Sequence, residues 1–181
     1  MSEAAPSRRA KDTAHSSPLG GLHPAHTIIA PVAANTRYFD AGPVRIGVEY
    51  RLITSDIVNA NLQAANAEHG GEYAMVTVPE DGGVSLHVVD AVTHAEYLRF
   101  DMFDDSPHYH YIHPGEYQRN IPFDRTAFGD MFEWVQLCLR HRLGDMLAFC
   151  GATAVAARID AAQVASVLPA VVAAVRAGSG Q

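Results

Sequence analysis

The sequence predicts an α+β fold: an antiparallel β-meander sheet of about 4–5 strands with C-terminal helices packed on one face. In the middle of the chain, apolar and polar residues alternate with the period of β-strands, and the C-terminal third is apolar at helical spacing. Hydrophobic residues make up 48% of the 181 positions, which is enough for a core. We expect a single α+β domain at residues 36–178 behind a disordered N-terminal tail at residues 1–35, which is rich in Ala, Ser, Pro, Gly and His.

Five short segments have the alternating pattern of strands. In the first of them, apolar side chains alternate with Arg45, Glu49 and Arg51, which is typical of a strand with one buried face. Turn residues such as Gly82 separate the later segments. The predicted strands are residues 44–53, 73–78, 84–90, 96–103 and 108–113.

Three segments have the pattern of helices. The first is capped at its start by Thr54 and is expected to stop at Gly70, because glycine adopts the left-handed conformation that ends many helices. The second spans residues 125–150 and is apolar nearly all round, which indicates a buried helix or one shared with a partner chain. The third spans residues 160–176, and Pro169 is expected to kink or split it.

The net charge restricts the classes of partner. The formal charge is −7, whereas nucleic acids and anionic membranes attract proteins with basic surfaces. No apolar run in the sequence is expected to be long enough to cross a bilayer. Cys138 and Cys150 lie in apolar surroundings and predict buried free thiols rather than a disulfide framework. We therefore expect a cytoplasmic protein that binds neither nucleic acid nor membrane.

Pairing the strands by their hydrophobic pattern brings polar residues together on one face. An even loop around residue 106 keeps the apolar side chains on the other face and puts Asp101 opposite His110. The preceding hairpin places His87 opposite Arg99. In the same register, Ser85 lies opposite Asp101. The resulting polar cluster consists of His87, Arg99, Asp101, His108 and His110.

This polar cluster has the composition of a metal site. Two imidazoles two residues apart on a strand, His108 and His110, can bind one metal ion together with Asp101 as the third ligand. Two histidines and one carboxylate suit Fe(II), Zn or Mn. Asp101 can instead act as a base that orients His110. Arg99 would bind an anionic group of the substrate, and His87 would support the ligands by hydrogen bonding.

Three functions remain open on the sequence. The first is a metal-dependent enzyme that uses the polar cluster. The second is a non-enzymatic homodimer or accessory subunit, in which the apolar C-terminal helices form the interface and the cluster is an exposed sheet surface that needs no function. The third is metal-free acid–base catalysis by His108 and His110.

One stretch resembles a known sequence family. Residues 99–111, RFDMFDDSPHYHY, are similar to the R-F-D-x-F-x-D-x-P-H-Y-H-Y signature of an uncharacterised bacterial protein family, a domain of unknown function. The resemblance extends over roughly residues 44–160 and includes a C-terminal helix with a tryptophan, here Trp134. It implies kinship but carries no activity to this chain.

Overall fold

Seven antiparallel strands form one open sheet in the computed structural model, which describes residues 21–178. The spatial order is β1-β7-β6-β5-β4-β3-β2. The strands are β1 (Gly21–Pro24), β2 (Arg37–Ala41), β3 (Val44–Ile53), β4 (Asp81–Asp90), β5 (Glu96–Phe103), β6 (His108–His113) and β7 (Tyr117–Pro122). The helices are α1 (Ser55–His69), α2 (Arg125–Phe128), α3 (Met131–His141), α4 (Leu143–Phe149), α5 (Thr153–Ala156) and α6 (Ala161–Gly178).

The predicted α+β class and antiparallel sheet are confirmed, but the predicted number of strands is too low for the described residues. The hydrophobic pattern does not predict β1, β2 or β7. The first two are short edge strands, and β7 carries Gln118 and Asn120 on its inner face where an apolar alternation is expected. Residues 1–20 of the predicted tail lie outside the described residues. Residues 21–24 form β1, which pairs with β7.

The apolar face of the sheet forms the core with the C-terminal helices. Buried side chains of β3, β4 and β5 such as Ile46, Leu86 and Phe100 pack against α3, α4 and α6. Trp134 on α3 contacts the rings of Phe100 and Tyr109. This packing determines which face of β5 and β6 is apolar, so the polar side chains of the same strands must point the other way.

The helical region at residues 125–150 is divided, although its pattern predicts one helix. Gly129 adopts a positive φ of 77° and ends α2. The carboxylate of Asp130 then accepts the N–H of Glu133 and caps a new helix, α3. A second break at Arg142 separates α3 from α4.

The last helix, α6, continues through Pro169 as one helix. Four of its side chains, at the spacing of a single helix face, are buried against the sheet and α3: Val164, Leu168, Val171 and Val175. With 18 residues and a mean hydropathy of 1.5, α6 is long and apolar enough to cross a membrane by length and composition alone. The expectation that no segment reaches this length is therefore wrong for α6.

The other face of the sheet is covered by residues 25–36, by α1 and by residues 71–80. We call residues 71–80 the roof segment, and all three covering segments together the roof. The predicted strand at residues 73–78 is wrong, because its backbone pairs with side chains of α1 and not with another strand. Each of these side chains both donates to and accepts from one backbone position. Ser55 pairs with Val78, Asn59 with Val76 and Asn66 with Tyr73, at 2.7–3.1 Å.

The strand register confirms the predicted faces and corrects one pairing. His87 lies opposite Arg99 as predicted. Asp101 lies opposite His108 and not opposite His110. A shift by two residues leaves every side chain on its predicted face, since side chains alternate with period two.

The shifted pairing results from a wider loop between β5 and β6. The carboxylate of Asp81 accepts the backbone N–H groups of Asp105 and Ser106 at 3.2 and 2.8 Å. These bonds hold the loop against the start of β4. Its closing residue, Pro107, has no N–H to add to the ladder, and its carbonyl oxygen accepts the N–H of Phe123.

Replacing both Asn59 and Asn66 by alanine is expected to loosen the roof segment. The free energy of its local opening should fall by about 1 kcal/mol for each asparagine, because each loses two hydrogen bonds. Faster amide hydrogen exchange at Tyr73 and Val76 would report this. Gln63→Ala is the control, since the hydrogen bond that Gln63 makes to the segment is a weak one, from Nε2 to the sulfur atom of Met75 at 3.6 Å. Unchanged exchange in the double variant would contradict the assignment.

Candidate functional site

The polar face of the sheet is buried, whereas the non-enzymatic alternative treats it as an exposed surface. Asp101 is 3% exposed and His87 is fully buried. The buried polar side chains come from five adjacent strands, β3 to β7. They are Glu49, Arg51, Ser85, His87, Arg99, Asp101, His108, His110, Gln118 and Asn120. Burial of so many polar groups is costly unless they are paired or bind a ligand.

A cavity of about 290 Å³ lies between this polar face and its cover. The sheet supplies a polar floor, and the covering segments supply an apolar roof. The floor includes Arg51, Arg99, Asp101, His108, His110 and Asn120. The roof includes Ile28, Ile29, Val58, Val76 and Val78. A small concave site with an apolar wall and convergent polar groups is typical of a ligand-binding pocket.

Three side chains on the floor converge on one point. Oδ2 of Asp101 lies 3.3 Å from Nε2 of His108 and 3.1 Å from Nε2 of His110. One donor atom from each of the three residues lies within 4.8 Å of the others. Ligand atoms bound to one ion at the usual 2.0–2.2 Å are separated by about 3.0–3.4 Å. The two nitrogen–oxygen distances therefore match a metal coordination sphere.

The other nitrogen of each imidazole is held by an acceptor. Nδ1 of His108 donates to the carbonyl oxygen of Ser106 at 2.7 Å, and Nδ1 of His110 donates to Oε1 of Gln118 at 2.8 Å. A neutral ring protonated on Nδ1 has its lone pair on Nε2. Because Nε2 of both rings faces the Asp101 carboxylate, either a second ring proton, which then donates to Asp101, or a metal cation must lie between the groups.

Asp101, His108 and His110, which we call the triad, differ in how their pKa values are shifted. Burial opposes ionisation of Asp101, but the hydrogen bonds from His108 and His110 and the charge of Arg99 hold its pKa well below the ordinary value. Burial also opposes protonation of His108, yet Asp101 outweighs it and the pKa is raised. For His110, burial prevails and the pKa is lowered. An ionised Asp101 thus faces an imidazole that favours its neutral, metal-binding form.

A second network lies beside the triad and contains Glu96, Arg99, His87 and Glu49. Arg99 donates from Nε and Nη2 to the two oxygens of Glu96, at 3.0 and 2.6 Å. His87 lies with Nδ1 2.6 Å from Glu96 and Nε2 3.4 Å from Glu49. Burial would raise the pKa of Glu96, but Arg99 and His87 lower it to about 2. The network fixes the Arg99 side chain next to Asp101.

The structure brings the sequence-predicted residues together with different degrees of access. Asp101, His108 and His110 form the triad on the cavity floor, where Arg99 also lies. His87 is fully buried and does not line the cavity, and its imidazole contacts Glu96 and Glu49 behind the floor. Their catalytic and metal-binding roles stay predictions.

Several functional candidates are missed by sequence reasoning. Gln118 and Asn120 lie on β7, whose polar alternation gives no hydrophobic signal for a strand. Arg51 falls on the polar side of β3 by alternation, but its burial depends on residues 25–36, which have no periodic pattern. Glu96 stands at the start of β5, where a bulge in β4 between residues 88 and 89 changes its pairing.

Acid is expected to weaken the fold through Glu96. Its pKa is about 2 in the folded protein and about 4.5 in the unfolded chain, so the stabilisation is complete above pH 5 and is lost as the pH falls towards 2. The free energy of unfolding from Glu96 alone should fall by about 3 kcal/mol over this range. Urea denaturation at stepwise pH should show a shallower acid slope for Glu96→Gln. Glu116→Gln, at an exposed position, should keep the wild-type slope, and equal slopes for all three proteins would contradict the role of Glu96.

No curated protein and no solved structure matches the chain. Residues 38–175 match a family described as a domain of unknown function, DUF7700. This match spans more than half of the chain and includes the triad, Arg51 and Asn120. The match also confirms the prediction, made from residues 99–111, that the chain is related to an uncharacterised family. The chain belongs to the DUF7700 family.

Proposed function

We propose that this protein is a metal-dependent enzyme that acts on a small molecule in the cavity, with Asp101, His108 and His110 as the metal ligands. One observation carries the proposal. Nε2 of both imidazoles faces a single oxygen of a buried carboxylate, while Nδ1 of each ring is held by an acceptor. The shape of the cavity supports a substrate of small size.

The donor set restricts the metal. Two imidazole nitrogens and one carboxylate oxygen are ligands that Fe(II), Zn and Mn accept, with open positions left for substrate. Such an ion, when bound, would polarise a substrate oxygen or lower the pKa of a water molecule. Cys138 and Cys150, both buried, are the cysteines of the chain and neither lines the cavity. A thiolate-rich site is therefore excluded at this position.

The surrounding residues would orient the ligands and hold charge. Ser85 donates its hydroxyl to Oδ1 of Asp101, which fixes the carboxylate so that Oδ2 faces the imidazoles. Gln118 fixes the ring of His110. Arg99, held by Glu96, places a positive charge beside Asp101. The apolar roof limits the access of water and strengthens these electrostatic contacts.

The metal content of the purified protein tests the proposal. Untagged protein prepared without chelator and incubated with Fe(II), Zn(II) or Mn(II) should bind one ion per chain. The double variant His108→Ala/His110→Ala should lose it, because a single carboxylate does not retain the ion. Elemental analysis and isothermal titration calorimetry give stoichiometry and affinity.

Two further variants test whether the loss of metal is specific to the proposed ligands and to the residue that orients His110. His113→Ala, on the same strand but on the opposite face, should bind metal like the wild type. Gln118→Leu should lower the affinity by about 10–100-fold, since it removes the acceptor that orients His110. Wild-type protein that binds none of the three metals would overturn the metal-dependent function.

The same residues also support a second candidate, metal-free acid–base catalysis. The pKa of His108 is raised and that of His110 is lowered, although burial acts in the same direction on both. Paired groups with separated pKa values can serve as acid and base in one site. Absence of metal from active wild-type protein would favour this candidate over the first.

A third candidate, a homodimer or accessory subunit, is favoured by exposed apolar side chains on the helices. Phe128 and Leu137 are each 58% exposed, and Phe149 is 52% exposed. We propose a second copy of the chain as the partner that covers these side chains, which otherwise remain exposed to water.

Oligomeric mass tests the third candidate. Wild-type protein should elute as a dimer by size-exclusion chromatography with light scattering, and Leu137→Asp should shift it to a monomer because a buried charge opposes association. Val92→Asp, in an exposed turn, is the control and should stay dimeric. A monomeric wild-type protein would exclude this candidate.

A further inference from the structure

Arg51 lines the cavity and uses little of its hydrogen-bonding capacity. Its side chain is 6% exposed, and its hydrogen bond within the described residues runs from Nη2 to the carbonyl oxygen of Ile29 at 3.0 Å. The carboxylate of Glu49 lies 3.9 Å from Nε, beyond hydrogen-bonding distance. A guanidinium has five N–H donors, and N–H donors that are buried without acceptors are costly. Arg51 is therefore suited to an acceptor from outside the chain.

The second arginine of the floor is already paired. Arg99 directs Nε and Nη2 at the two oxygens of Glu96, so its bidentate edge is occupied. The pKa of Arg51 is lowered first by burial and then by the positive charge of Arg99. An anion next to Arg51 would offset both effects, because it would pair the charge and screen the repulsion.

Asn120 supplies an independent sign of a ligand. Its side chain is 8% exposed and lines the cavity, and Oδ1 has no hydrogen-bond partner among residues 21–178. Buried amide oxygens in folded proteins normally accept a hydrogen bond. An amide oxygen only accepts, so the missing partner is a donor such as a hydroxyl or an amino group.

The side chains of the roof and the cavity volume indicate the size and polarity of the rest of the ligand. Ile28 and Ile29 lie on one side of the cavity and Val76 and Val78 on the other, so the space above the floor is apolar. A cavity of about 290 Å³ is at the lower end of the range for small-molecule sites. A compact ligand with an apolar body fits it.

We propose that the cavity binds a small organic acid, with its carboxylate on Arg51, a hydroxyl or amino donor on Asn120 and its apolar body under the roof. This inference rests on the proposed function, since the acid would occupy the cavity that holds the metal ligands. It adds the chemical class of the substrate.

The charge balance favours an acid over an amine once a divalent ion is bound. Among the buried charged groups, Glu49, Glu96 and Asp101 face Arg51 and Arg99, which leaves one negative charge that a divalent cation converts to one positive charge. The carboxylate of Asp81 at the rim is bonded to the backbone N–H groups of three residues. Asp105, which also lines the cavity, is exposed to solvent. Asp81 and Asp105 are therefore not counted with the buried charges.

Calorimetric titration of full-length protein incubated with Zn(II) tests the proposal with three probes. Phenylacetate should bind at least about tenfold more tightly than phenylacetamide, which lacks the charge, and than acetate, which lacks the apolar body. Arg51→Gln should reduce the affinity for phenylacetate to the affinity for phenylacetamide. Arg45→Gln is the matched control, because Arg45 is on the same face of β3 but outside the cavity, and it should bind like the wild type.

The donor on the ligand is tested by one added hydroxyl. Mandelate should bind more tightly than phenylacetate to the wild type, by about three- to tenfold for one hydrogen bond to a neutral amide. Asn120→Ala should remove this advantage. Equal binding of the two acids to the wild type would exclude Asn120 as the acceptor for the ligand.

Metal stoichiometry, measured on the same samples, separates this inference from the proposed function. Arg51→Gln that binds one ion per chain but no phenylacetate supports the inference, and Arg51→Lys, which keeps the charge, should show intermediate affinity. Wild-type protein that binds one ion but no phenylacetate overturns the inference alone. Wild-type protein that binds phenylacetate through Arg51 but binds none of the three metals overturns the proposed function and leaves the acid site standing.

Discussion

The buried carboxylate of Asp101 is the constraint on which the site depends. An ionised group in the interior is tolerated only where donors or a cation surround it. Ser85 donates to one of its oxygens, and His108 and His110 converge on the other. These partners come from the neighbouring strands β4 and β6, so three strands must keep their register. A slip by one residue would bring Tyr109 to the polar face and remove both histidines.

The sheet separates two environments that differ in how they are held together. One face packs on α3, α4 and α6 through a continuous apolar core. The other face is closed by segments that attach through side-chain hydrogen bonds, such as those of Asn59 and Asn66 with the roof segment. Because residues 71–80 form no strand ladder with the sheet, we expect this part of the cover to open locally more easily than the core. A rigid floor under a more loosely held roof suits a site that admits a ligand.

The two arginines of the floor differ in how their guanidinium groups are paired with neighbouring residues. Arg99 is bound on its bidentate edge by Glu96, which in turn contacts His87, so its charge is fixed next to Asp101. Among residues 21–178, Arg51 donates to one backbone carbonyl oxygen and lies 3.9 Å from the carboxylate of Glu49. The first supports the carboxylate ligand, and the second is available to a molecule in the cavity. Sequence alternation places both on the same face but does not distinguish them.

The sequence by itself determined the alternation of side chains, and with it the faces of β3 to β6 and the membership of the polar cluster. That information is local, because a strand sends successive residues to opposite faces whatever it pairs with. Only the tertiary structure decided that Asp101 lies opposite His108, that β7 adds Gln118 and Asn120, and that the polar face is buried. These features depend on loop width and on covering segments distant in the chain, for which no periodic pattern exists.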